Sequence, residues 1–402
     1  MKLEGIYKLQ GVVQHYQWGG TDFLPNLLLE SNKEGKPWAE YWLGVHPKGT
    51  AMVATEQGPQ SLAEVLRGNP ALLGEKVARV FGELPFLFKI LDVKEMLSIQ
   101  LHPTREVAEE RFAKEEAAGI PLLADHRNYK DKNHKPEVMV ALTDFWLLHG
   151  FQTKAVIEQS LQEISAWADL ASVLTNKGVP GLYERVMTAT EEEVFSWLDP
   201  LYQNLKERQG ALVPSHPDYW AWQAFLQYST AGHHDRGVFS IYWFNLVHLV
   251  AGEGIFQAAG IPHAYLRGVN VELMANSDNV LRGGLTPKHI DVPELLDNIN
   301  FSAVSPQILR GEVSDHNVLD YPVPVPDFTL KQYQMLPGET FSTSEEGPRI
   351  LLILNGEANL NGQDYRGGEA AFIPANQKLS CENKGEQNLR FFVAGVSQDM
   401  NI

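Results

Sequence analysis

The chain has 402 residues, with 33 Lys and Arg against 50 Asp and Glu, for a formal net charge of −17. At roughly 150 residues per domain this length calls for two or three domains, and 44% hydrophobic with 21% charged residues is a globular balance that excludes wholesale disorder. The acidic surplus argues against nucleic acid or membrane as main partner, since both need a basic face, and one cysteine, Cys381, excludes an intramolecular disulfide framework.

In chain order, the first ten residues carry no apolar core of signal-peptide length. Val238 to Val250 is the most apolar window, and Ser240, Asn245 and His248 break it well short of the roughly 18 apolar residues of a membrane span. A cytoplasmic protein is expected. From Val12 to Asp92 short apolar runs alternate with Gly and Pro, and Phe86–Asp92 and Met96–Leu101 read as strands. Thr104 to Ala118 turns to Glu, Ala, Arg and Lys and predicts a helix; Pro136–Leu142 reads as a strand again. From about Thr153 to Tyr228 the text is helical. Ile157, Leu161, Ile164, Trp167 and Leu170 recur at helical steps, and Thr190 with Glu193 forms a capping box ahead of Val194, Leu198, Leu201 and Leu205. Strand-and-turn text returns after Gly237, and 325–402 predicts a compact all-β unit.

One pattern repeats. Gly252-Glu253 leading to Ile261-Pro262-His263-Ala264 resembles Gly368-Glu369 leading to Ile373-Pro374-Ala375, the turn and strand of half a cupin-type barrel. The second copy has Ala375 where the first has His263, and no histidine follows His316. If both are barrels, only the first can hold a metal through histidine.

Four segments carry chemistry. On a strand, Gln100 and His102 point to one face, offering an amide oxygen and an imidazole before Pro103 ends the run. Pro136 extends its predecessor, so Lys135 and Glu137 share a face and set a carboxylate beside a cation. His263 follows Pro262. Each alone has a commoner fate as a structural histidine or a solvated charge pair; together they form a donor set suited to zinc or another borderline divalent cation. The fourth segment is the polar run from Asn270 to Lys288, in which Glu272, Asp278, Arg282 and Lys288 supply both signs of charge around Gly283-Gly284.

The segments around Gln100–Pro103, Asn133–Glu137, Ile261–Tyr265 and Ser277–Lys288 resemble, in order, the signatures of the type I mannose-6-phosphate isomerases. Gln17-Trp18-Gly19 and Ala39 to Pro47 are similar to the family's N-terminal motifs, with Gln17 and Tyr41 departing from its commoner residues. The resemblance implies a mainly β fold with an inserted α-helical domain: two cupin-like jelly-roll barrels plus a helical unit. Residues 1–152 and 236–324 would form the catalytic barrel, 153–235 the helical insert and 325–402 the C-terminal barrel. It further implies one zinc ion per chain on Gln100, His102, Glu137 and His263, and an essential Arg282. Lys135, Glu272 and Asp278 match pocket positions, and Ser98 and Lys288 are expected to bind substrate.

The implied reaction interconverts mannose 6-phosphate and fructose 6-phosphate, in which negative charge develops on an enediolate. Glu272 is the preferred general base, with Asp278 or Lys135 as alternatives; Arg282 would hold the phosphate or the developing oxyanion. A small sugar phosphate is the expected partner and a monomer the expected state. An isomerase of an unphosphorylated sugar and a non-catalytic sugar-binding cupin are the competing readings. An iron oxygenase fits less well, because the amide-containing ligand set departs from a two-histidine, one-carboxylate face.

Overall fold

The computed structural model describes residues 5–315 and 318–398; His316 lies outside them. The chain is mainly β, with three sheets of ten, nine and four strands and several helices. The ten-stranded sheet is organised by one long strand, His263–Ala275. Phe86–Val93 pairs along one side of it, and Phe145–Phe151 and then Glu137–Ala141 along the other. The two-residue strand Gln100–Leu101 sits opposite its first residue, His263. A register shift between Tyr265 and Arg267 changes which residues face inward. Before it, His263 and Tyr265 share a face with His149 and Leu147; after it, Asn270 and Glu272 share a face with Leu91 and Lys89. That alternation puts a row of polar side chains inside a sheet whose other face is apolar.

The apolar face carries Phe86, Phe88, Ile90, Val138, Val140, Val271 and Leu273, and packs against Leu9, Val53, Ile350, Leu352, Phe372 and Phe392 of the nine-stranded sheet. That sheet draws on both ends of the chain: Tyr7–Gln10 pairs with Met52–Thr55 on one side and Ala370–Ile373 on the other. Its far face, with Leu351, Ile353, Phe391 and Val393, packs on Ala358, Leu360, Leu379 and Cys381 of the four-stranded sheet. The helices Lys154–Glu163, Leu170–Met187, Glu191–Glu207, Pro217–Tyr228 and Gly237–Trp243 cover another flank, joined through Trp167, Leu198, Trp220 and Trp243 to Leu148, Phe151, Ala264 and Leu266. Among the described residues no helix is long and apolar enough to cross a membrane.

Several expected elements are present: Phe86–Val93 is buried throughout, Glu137–Ala141 is a strand, and Thr104 caps the helix Arg105–Ala117. The Thr190 capping box has both reciprocal bonds, at 3.3 and 3.0 Å. Two differ. The strand expected from Met96 shrinks to Gln100–Leu101, because the backbone of Met96 is bonded at both N–H and C=O to the side chain of Gln227. The helix expected through Ile157 to Leu170 ends at Glu163, where Ile164 turns extended and Trp167 falls on a short 3-10 turn, its indole donating to the Trp197 carbonyl at 3.1 Å. Ile157, Leu161, Trp167 and Leu170 still reach one core, by a bend instead of a continuous face.

The two Gly-Glu turns are built alike. Gly252 and Gly368 both take positive φ (94° and 85°), and each following glutamate accepts the backbone N–H three residues before it, Val250 at 3.2 Å and Arg366 at 2.8 Å. Leu336 to Glu339 repeats the device a third time, at 2.7 Å.

Candidate metal centre and substrate cleft

His102, Glu137 and His263 meet inside the ten-stranded sheet, all buried, with donor atoms within 4.8 Å of one another. Each imidazole is oriented through its Nδ1, which faces a carbonyl and so carries the proton: Asn279 O at 2.8 Å for His102 and Ile261 O at 3.0 Å for His263. Both Nε2 lone pairs are thereby turned to one carboxylate, His102 Nε2 3.4 Å from Glu137 Oε1 and His263 Nε2 3.4 Å from Oε2. This spacing is long for a hydrogen bond, and Nε2 of His102 has no partner of good geometry. It suits a shared cation instead, since donors about 2.1 Å from a tetrahedral zinc lie about 3.4 Å apart. Gln100 is cross-strand partner to both His263 and Arg282, which puts the three on one face.

Electrostatics sharpen the site. Burial opposes the charge of Glu137, yet Lys135 at 3.0 Å and His102 hold its carboxyl well below the usual range. Burial and then Lys135 push His102 down to about 4, which keeps its ring neutral and able to donate a lone pair. Glu272 lies deeper along the same strand, 3.0 Å from Lys89. Burial raises its carboxyl despite that lysine. Lys89 stays charged although buried, because Glu272, Glu40 and Glu137 outweigh its desolvation; Glu40 is 3.7 Å away and accepts the Trp42 indole at 2.5 Å.

Asp278 sits at the mouth, held by Lys48 at 2.9 Å and His46 at 3.4 Å, and these two overcome its burial to keep it strongly acidic. It lines a cleft of about 1280 Å³ together with Lys48, Arg67, Lys130, Arg282 and Lys288. Burial weakens the hold of Arg282 on its proton, and burial with Arg282 and Lys48 does the same to Lys288, as expected for cations crowded without enough anions. Ser98 is half-buried two residues before Gln100, and the cleft lining does not include it.

Sequence reasoning missed Lys89, Glu40, His46 and Lys48. Lys89 had a legible signal: it is the one charge between Phe86 and Leu91 in a run that reads as buried, and a buried lysine requires carboxylates around it. His46 and Lys48 lay in a Gly-Pro-rich turn, where nothing local distinguishes a cleft residue from a solvated one.

Residues 6–154 match the family of the phosphomannose isomerase type I catalytic domain. The mannose-6-phosphate isomerase of Salmonella typhimurium is 40% identical over 383 residues, covering 92% of this chain and 95% of that protein. The chain belongs to the type I phosphomannose isomerases. The human mannose-6-phosphate isomerase is 32% identical, covering 97% of this chain and 98% of its own. Among solved structures, a zinc-bound mannose 6-phosphate isomerase superposes with a TM-score of 0.87 at 37% identity, over 98% of this chain and all of the other. The Salmonella typhimurium enzyme bound to its substrate and zinc gives 0.87 at 36% identity, with the same coverage.

Proposed function

We propose that this chain interconverts mannose 6-phosphate and fructose 6-phosphate with one zinc ion held by Gln100, His102, Glu137 and His263. The observation that carries the reading is the convergence of two pre-oriented Nε2 lone pairs on one buried carboxylate, beside a cation-lined cleft, in a member of this family. When bound, zinc supplies a Lewis acid that offsets the negative charge developing on the sugar oxygens.

The chain's own groups do the rest. Glu272 is the base that moves the proton between C1 and C2: its raised affinity for a proton brings it nearer neutrality than an exposed carboxylate, and Lys89 fixes its position. Asp278 is a poor base while Lys48 and His46 hold it, and it serves to place those two groups. Lys135 neutralises Glu137 and keeps the ligand ionised. Arg282 and Lys288 hold the phosphate from across the cleft, and Ser98 completes the wall on the Gln100 side. The site rests in a split cupin-like barrel formed by 1–152 and 236–324; 153–235 is a helical insert, and 325–402 a second jelly-roll barrel that shares its sheet with the N-terminal strands.

A coupled assay with mannose 6-phosphate and with mannose, each before and after chelation, tests the reading. Turnover should need the phosphate and disappear on chelation, returning with zinc. Equal turnover of mannose would leave an isomerase of free sugar; none with either substrate would leave a sugar-binding protein.

A further inference from the structure

The loop that carries Arg282 and Lys288 is shaped by a residue from outside the cleft. Gly284 and Leu285 both take positive φ (124° and 53°), which for leucine is strained and needs support from its surroundings. On one side the loop is bonded to the strand of the metal site: Gly283 N–H to Ile99 O at 2.9 Å, and Ile99 N–H to Gly284 O at 3.0 Å. On the other side it meets Asp235, just ahead of the helix Gly237–Trp243. Oδ1 of Asp235 accepts the N–H of Leu285 at 2.7 Å and that of Gly237 at 2.7 Å, and Oδ2 accepts the N–H of Thr286 at 3.0 Å. The approach is close enough that a Cβ on Gly284 would stand 2.5 Å from the Cα of Gly237.

Asp235 is buried, and among the described residues no cation pairs with it. A buried carboxylate bonded only by backbone N–H groups is costly unless all of those bonds form together. The two Thr286-side and Leu285-side bonds therefore select one loop shape, and that shape sets where Arg282 and Lys288 stand. We propose that Asp235 is a positioning residue for the isomerase reaction: it latches the cation-bearing loop 282–288 to the helical layer and so sets the preference for a phosphorylated sugar. This rests on the assignment of Arg282 and Lys288 to the phosphate.

The test is Asp235→Asn in the zinc-loaded enzyme. Asparagine keeps the shape and one acceptor oxygen but turns an N–H₂ toward the N–H of Thr286, so the loop loses its fixed form. Zinc content should stay at one per chain. The kcat/KM for mannose 6-phosphate should fall by about 10- to 100-fold, as misplaced binding groups cost, while any residual turnover of mannose should change less than threefold. Gly284→Ala, which keeps the carboxylate and forces the backbones apart, should behave alike if Asp235→Asn folds poorly. Unchanged preference in both variants overturns the latch, as does an equal loss for both sugars. Arg282→Ala and Lys288→Ala separate the two ideas: if they keep the preference, the phosphate assignment itself has failed; if they lose it while Asp235→Asn does not, only the latch has.

Discussion

The turn at Gly252-Glu253 and the turn at Gly368-Glu369 have the same backbone and the same carboxylate clasp, yet the strands beyond them face opposite surroundings. After the first, Gln257 lies across from Glu137, its Oε1 2.7 Å from His149, and the inward row continues through His263, Glu272 and Lys89. After the second, Ala371 and Ile373 pack among Leu351, Leu379 and Phe391. Both sheets are therefore assembled by one kind of turn, and the inward side chains alone decide which encloses charge. The apolar interior gains from burial directly, at about 25 cal/mol per Å². The polar interior must be balanced group by group, and each imbalance is available for chemistry.

The comparison breaks most sharply at Lys89. Lys89→Met makes the inner row of the first sheet more like that of the second, and leaves Glu272 and Glu40 without their shared cation. We expect kcat to fall by about 100-fold with zinc content unchanged, as for a lost proton-transfer partner; steady-state kinetics with metal analysis decides it. Near-normal turnover would mean that the pair only braces the sheet.

A smaller effect should come from pH. Burial first, and then Asp22, push the Asp92 carboxyl up from 3.8 to about 6 in the folded chain. Asp92 thus binds its proton more tightly folded than unfolded, so its contribution is full below about pH 4 and is lost as pH rises through about 6. Asp92→Asn should melt several degrees above the parent at pH 8 and together with it near pH 4. The buried group of the second sheet gives no such slope: burial pushes the Cys381 thiol up to about 12, so it stays neutral across that range. The smallest effect is expected at the turn itself. Glu369→Ala removes the clasp on Arg366 and should cost about 1 kcal/mol in a denaturant titration, with kcat unaltered.

Much of the candidate site was legible because proline and alternation act locally. Pro103, Pro136 and Pro262 mark strand ends and extended approaches, so His102, Glu137 and His263 could be singled out from neighbours along the chain alone. Lys89 was hidden by its own strand, whose apolar run reads as core until something shows which face is polar. The break at Ile164 was hidden for a related reason: Trp167 and Leu170 keep helical spacing while the backbone between them does not, and burial is satisfied either way. Asp235 left no signal at all, since its partners are backbone N–H groups some 50 residues onward, and backbone groups have no letter in the sequence.

The pairing of Tyr7 with Phe372 has a consequence for how the chain comes to be. During synthesis the N-terminal strand emerges among the first residues, yet one of its neighbours is made only when nearly the whole chain has left the ribosome. Until then Tyr7–Gln10 has a bare edge, open to wrong partners, and the late closure of so long a loop slows the final assembly. The same pairing keeps the beginning and the end of the chain close together. A version joined end to end by a short linker and reopened at an exposed turn should therefore fold to the same enzyme.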